Sequence, residues 1–288
     1  MSSTALILIL AAAFLHAGWN VFAKLSKNTV ALMWWASVVG TFGYGVWLAS
    51  ALGIYINSGS WIPFLVSAAC ETGYFFTLAQ GYLHGDLSAV YPISRGSAPI
   101  FVALWGALLL GERLPWFGYV GVGLMVGGVF VASLPADRSR MKSEFISSLR
   151  NSTRWALASG VFISIYSFSD KLAVAATSPL IYNWWVFAGN SIFWMPIVWR
   201  KSRFRANFEE LRINWRRIIA SSVMMVASYA AALAAFALTS ASYVVAGRGL
   251  SVVIGALFGS YILKERYGFV RVVGATLMVA GLGLIAFS

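Results

Sequence analysis

One cysteine, two histidines and nine acids are all that this 288-residue chain holds of the groups that most often do chemistry. Cys70 alone permits no internal disulfide and no multi-cysteine metal site. His16 and His84 leave little for zinc, so no metal is expected. No G-x-x-x-x-G-K-[ST] loop occurs, which removes ATP as a direct energy source, and no cofactor motif stands in its place. Charged residues reach only 10%, against about 25% in soluble chains. A solvated globular domain is excluded by that scarcity.

The remainder is oil. Hydrophobic residues make up 60% of the chain and mean hydropathy is +0.78. A membrane-crossing helix takes about 20 apolar residues. Apolar runs fall at 4–24, 29–54, 60–83, 87–110, 116–134, 152–175, 180–199, 215–239, 241–263 and 268–287. The sequence therefore predicts an all-α membrane protein of ten transmembrane helices. Its first run precedes Lys24 and Lys27 instead of following a basic segment, the reverse of a secretory leader, and reads as a retained helix. The longest connections, 135–151 and 200–214, are polar, basic and too poor in apolar residues to fold alone.

The net charge of +12 could suggest nucleic acid, but the bases are confined to short turns. Seventeen of the 21 Lys and Arg lie after helices 1, 3, 5, 7 and 9, and only Arg113 and Lys171 lie on the other side. The positive-inside bias then predicts a multi-pass protein of the inner or plasma membrane, with basic turns cytoplasmic and both termini outside. Trp34, Trp35, Trp116, Trp155, Trp199 and Trp215, near span ends, are expected in an interfacial belt.

The chain also resembles itself. Residues 89–134 lie on 242–287 without gaps, matching Arg95 with Arg248, Gly96 with Gly249, Glu112-Arg113 with Glu265-Arg266, Gly121 with Gly274, Met125 with Met278 and Gly128 with Gly281. Hydrophobic drift would match Leu and Val, not buried arginines. Further upstream, Trp19 aligns with Tyr166, Lys24 with Lys171, and Trp34-Trp35 with Trp184-Trp185. Each half thus holds five helices, and an odd number inverts the second half relative to the first. The expected division is a first repeat at 1–136, a cytoplasmic linker at 137–151 and a second repeat at 152–288. Inverted repeats mark secondary transporters with a midplane site between the halves.

Two five-helix halves, an early Gly18-Trp19-Asn20 followed by Lys24, Glu-Arg after helices 4 and 9, and a Gly-rich last helix in each half resemble the drug/metabolite transporter superfamily, in its ten-helix EamA-type branch. The resemblance implies export of amino acids or other small metabolites by alternating access. The Tyr91–Pro99 stretch also resembles relatives found with phosphonate metabolism, implying a phosphonate or other organic-anion permease as the alternative. A non-transporting membrane subunit or sensor is a further class. An enzyme is not expected, because the spans hold one histidine, His16, and no paired carboxylates.

A charge at the bilayer centre costs about 2.5–3.5 kcal/mol on the insertion scale. Arg95 lies about 12 Å into helix 4 at 1.5 Å per residue, and Arg248 lies at similar depth in helix 9. Pro92, Gly96 and Pro99 around the first, and Gly247 and Gly249 around the second, predict interrupted helix at both. Either guanidinium is suited to a substrate carboxylate or phosphonate; either could equally brace the halves against backbone carbonyls or Glu71.

Glu71, the one acid near a span centre, is a candidate proton carrier, because loss of hydration disfavours a carboxylate, or else a fixed partner of Arg95. His16, Asn20 and Lys24 share one face of helix 1, where His16 is a second proton-coupling candidate and Asn20 a substrate or cross-helix bond. Tyr74, Tyr91, Trp19 and Tyr166 are candidate cavity walls. Asp170 and Lys171 are expected at the interface, and Asn190 in a cross-helix bond. Gly123 and Gly127, with Gly255 and Gly259, have the spacing for helix packing within a half or between protomers. The expected partners are a small-molecule substrate, membrane lipid and a proton, the protein being a monomer or homodimer with no nucleic acid.

Overall fold

The computed structural model describes residues 3–109, 115–132, 149–199, 204–238, 248–264 and 268–286. The described residues form helices and no strand. The first half contributes α1 (Ser3–Leu25), α2 (Thr29–Ala51), α3 (Trp61–His84), α4 (Leu87–Leu109) and α5 (Trp116–Ala132). The second contributes α6 (Arg154–Val174), α7 (Pro179–Val198), α8 (Phe204–Leu238), α9 (Leu250–Tyr261) and α10 (Gly268–Ala286). Among the described residues, five spans are long and apolar enough to cross a membrane by length and composition alone: Ser3–Leu25, Thr29–Ala51, Ser58–His84, Asn151–Val174 and Phe204–Ala235. The outward faces stay apolar: Phe42, Val46, Ile62, Ile192 and Val223 are all exposed, as suits helices bathed in lipid.

The halves meet as an inverted pair. Trp34 of α2 donates its indole N–H to the Ser191 carbonyl of α7 at 2.9 Å, and Trp184 of α7 donates to the Thr41 carbonyl of α2 at 2.9 Å. Thr41 and Ser191 themselves touch through their hydroxyls at 3.2 Å. The earlier residue of each helix meets the later one of the other, so α2 and α7 run antiparallel about a two-fold axis. The same exchange recurs between α5 and α10, where Gly128 lies on Gly274 and Gly121 on Gly281. Other pairings come in matched sets: α3 packs on α6 as α8 packs on α1, and α4 packs on α6 as α9 packs on α1.

Several expectations change. The segment from residue 204 to 213 is helical and continues into α8 across a kink at Asn214 (φ −109°, ψ 20°). Its basic residues look like a loop in sequence, but Asn207 and Glu210 turn inward and bond Asn28 at 2.9 Å and Ser26 at 2.6 Å. The glycine-rich helices α5 and α10 pack chiefly against each other across the halves, beside their contacts with α4 and α9 within each half. A Cβ on Gly123 or Gly127 would meet no described neighbour within 4 Å, whereas one on Gly255 would run into the Tyr91 ring. Trp116, Trp199 and Trp215 are exposed as an interfacial belt requires. Trp34 and Trp35 instead turn inward, because their N–H groups find carbonyls on α7 and α8. The linker at 137–148, Glu112-Arg113, Glu265-Arg266 and Gly247 lie outside the described residues.

Polar bonds tie the halves at both ends. At the end bearing the basic turns, Arg271 of α10 pairs with Asp86 at 2.6 Å, and Ser26 and Asn28 hold α8. At the other end, Ser60 and Thr177 bond at 2.8 Å, and Trp185 reaches the Ile54 carbonyl at 3.0 Å.

The α5–α10 seam leaves no room for side chains. A Cβ on Gly128 would lie 2.6 Å from the Gly274 carbonyl oxygen, whereas one on Gly123 would meet open space. Gly128→Ala is therefore expected to lower the melting temperature in detergent. Gly123→Ala should stabilise by about 0.5–1 kcal/mol through helix propensity alone. Equal melting of the two variants would contradict this packing.

Candidate functional site

Inward faces of six helices and Arg248, two residues before a seventh, converge on one small cavity. From the first half come His16 and Trp19 of α1, Glu71, Tyr74 and Phe75 of α3, and Arg95 of α4. The second half contributes Tyr166 of α6, Phe187 of α7, Met225 and Tyr229 of α8, and Arg248. Trp19 and its repeat mate Tyr166 thus face one space from opposite sides. The cavity holds about 20 Å³ of room for the centre of a water-sized molecule. One water needs about 10–15 Å³ on that measure, so this conformation is closed around little more than a water.

Arg95 sits in continuous helix, contrary to the expected interruption, and its guanidinium meets the His16 imidazole. Nε lies 3.2 Å from His16 Nε2, and Nη2 lies 2.5 Å from Nε2 and 3.2 Å from Nδ1. The guanidinium also lies 5.7 Å from the centre of the Tyr74 ring. Arginine can only donate, so the imidazole nitrogen it contacts must be an unprotonated acceptor. Glu71 therefore does not serve as the fixed partner. His16 on the neighbouring helix satisfies the donors with a lone pair, and Glu71 forms no ion pair with either arginine among the described residues. Glu71 is nevertheless buried, and its Oε2 has no hydrogen-bond partner.

Arg248 differs from its mate. It lies two residues before α9, whose N-cap Gly249 keeps helical backbone angles (φ −57°, ψ −26°), and the residues preceding Arg248, where the expected break would begin, lie outside the described residues. Ser251 bonds its carbonyl at 2.6 Å, yet among the described residues its guanidinium has neither a hydrogen bond nor an ion pair. The cavity thus contains one occupied cation, one unoccupied cation and one unpartnered carboxyl oxygen.

Asn20 and Tyr91 do not line the cavity. Asn20 is fully buried, accepts from the Tyr82 hydroxyl at 2.5 Å and donates to the His16 carbonyl at 2.6 Å. Lys24 reaches the carbonyls of Tyr82 and Gly85 at 2.7 and 2.6 Å, which caps the end of α3. The polar face of α1 is thus divided, His16 serving the cavity and the other two holding α3. Tyr91 stacks on His16 from behind, with ring centres 5.9 Å apart. Asn190 accepts from Thr72 at 2.9 Å, the expected cross-helix bond.

Asp170 is not interfacial. It is buried, and three hydroxyls from three other helices donate to it: Ser67 of α3, Tyr182 of α7 at 3.0 Å and Tyr229 of α8 at 2.5 Å. Its position four residues after Tyr166 places it on the same helix face, a signal present in the sequence. Phe75 likewise follows Glu71 by four. Met225 and Tyr229 carry no comparable mark.

Truncating His16 would strand the Arg95 donors. Leaving a buried group without its partner costs about 1–3 kcal/mol, more for a charge. His16→Ala is accordingly expected to lower the detergent melting temperature. His16→Gln, which keeps an acceptor, should recover part of the loss; identical melting of both variants would show that the contact is not holding Arg95.

No curated protein matches this sequence. Among solved structures, one described as "Crystal structure of protein" superposes with a TM-score of 0.64, covering 99% of this chain and 96% of that one at 15% identity. That likeness concerns the fold. The model of the EamA-like transporter family matches residues 3–134 and again 153–287, one match to each five-helix half. With nearly its whole length matched in two copies, the chain belongs to the EamA-like transporter family and is a multi-pass membrane protein.

Proposed function

We propose that this protein is a secondary transporter that exports a small zwitterionic metabolite, amino-acid-like in bearing both a carboxylate and an ammonium, by alternating access. One observation carries the reading: the unoccupied guanidinium of Arg248 and the unpartnered Oε2 of Glu71 face the same aromatic-walled cavity. A carboxylate would supply the acceptors that Arg248 lacks, and an ammonium the donor that Glu71 lacks. Trp19, Phe75, Phe187 and Met225 offer apolar surface to the part between. Closure at both ends of the bundle suits an occluded intermediate, and a metabolite can enter only when one set of end bonds parts. The surplus of basic turns supports an orientation with those turns in the cytoplasm and both termini outside.

A second reading rests on the cavity's two guanidiniums against one carboxyl. That excess favours an organic anion such as a phosphonate.

Counterflow into liposomes containing the purified chain separates the two. The probes are radiolabelled L-amino acids, simple dicarboxylates and an aminoalkylphosphonate. Charge-assisted hydrogen bonds contribute about 1.5–3 kcal/mol, so Arg248→Ala should cut flux roughly ten- to hundredfold, with Arg248→Lys recovering part. Glu71→Gln should impair ammonium-bearing probes and spare the dicarboxylates if the zwitterion reading holds. Absence of flux for every probe, in protein that melts cooperatively, would overturn transport.

A further inference from the structure

We infer that Asp170 is the protonation site that couples this transporter to a proton gradient, communicating with the substrate cavity through Tyr229; the inference rests on the transport reading above. Asp170 lies outside the cavity wall, on the side away from the basic turns, and among the described residues only Tyr229 belongs both to its hydrogen-bond shell and to the cavity lining.

The chemistry of its partners sets Asp170 apart. Ser67, Tyr182 and Tyr229 are all hydroxyls, and a hydroxyl can either donate or accept. As a carboxylate, Asp170 accepts from all three. As a carboxylic acid it can donate to one of them, whose own proton turns elsewhere. Both protonation states are therefore met without stranding a partner. An arginine or lysine in that shell would lock the carboxylate form, but no ion pair is made to Asp170 among the described residues. Arg95 shows the contrast, since its contact with His16 tolerates only one protonation state of the nitrogen that it touches.

The charged and titratable surroundings make the link to cargo. Cys70 and Glu71 of α3, Tyr166 of α6, Tyr182 of α7, Tyr229 of α8, and Arg248 before α9 all act electrostatically on Asp170 or feel its charge. Arg248 is the cation among them and the proposed seat of the substrate anion. Occupancy of Arg248 by a substrate carboxylate and the proton on Asp170 are therefore linked through the charge of Arg248. The proton passes from water to a carboxyl oxygen of Asp170 and later returns to water; no covalent bond to cargo forms.

Infrared difference spectroscopy of the protein in liposomes tests the site without any substrate. Acidification of the wild type should produce the carbonyl band of a protonated carboxyl, Asp170→Asn should lose it, and Glu71→Gln should keep it. Tyr229→Phe and Asp170→Glu, which retain a carboxyl if Asp170→Asn fails to fold, should shift the midpoint. A band that survives in Asp170→Asn, or a midpoint indifferent to both other variants, overturns the assignment. Coupling is read separately with L-amino-acid probes. In Asp170→Asn, accumulation driven by a pH gradient should fall at least tenfold relative to gradient-free exchange, and an unchanged ratio overturns the coupling role. If the wild type moves no probe, the transport reading fails while the infrared result still decides whether Asp170 titrates.

Discussion

A guanidinium withdrawn from water needs acceptors in fixed positions, because an ion left unpaired in an apolar interior costs several kcal/mol. Arg95 and Arg248, repeat mates in sequence, meet that requirement in opposite ways. Arg95 is answered by His16 across a helix interface and lies over Tyr74. Arg248 meets no such answer among the described residues and opens instead on the cavity. The interior of the bundle follows from this difference. One half supplies a guanidinium bonded to His16, and the other supplies one that faces the cavity two residues before α9.

The departure from symmetry is informative because symmetry is so closely kept elsewhere. Trp34 and Trp184 exchange equivalent bonds, and Gly121 and Gly128 face Gly281 and Gly274. Around the cavity the mates diverge in chemistry: Trp19 stands against Tyr166, and Arg95, bonded to His16, against Arg248, whose guanidinium makes no such bond among the described residues. Identical halves would bind identical groups at both ends of a cargo. Divergent ones suit a molecule whose ends differ.

Much of this architecture was legible before any coordinates. Charged and glycine residues repeat at a fixed offset, and five helices per half dictates inversion, so the inverted relation of the halves follows from counting, whereas the meeting of α5 with α10 does not. The start of α8 was not legible, because Arg205, Arg212, Arg216 and Arg217 resemble a solvated turn while Asn207 and Glu210 form its inward bonds. The partner of Arg95 was not legible either. Glu71 and His16 lie on different helices, and one-dimensional spacing does not say which of the two rotates towards α4. Asp170 was half visible: its register with Tyr166 was there to be counted, but its nearness to the end of an apolar run suggested an interfacial place.

The bonds that Trp34 and Trp184 exchange are those that a two-fold homodimer makes with its own copy. Their geometry is written into each half separately. Placing both halves on one polypeptide turns their meeting into an intramolecular event and raises the effective concentration of each for the other. What the connecting segment contributes is therefore proximity; the manner of docking is already encoded on the two faces that dock.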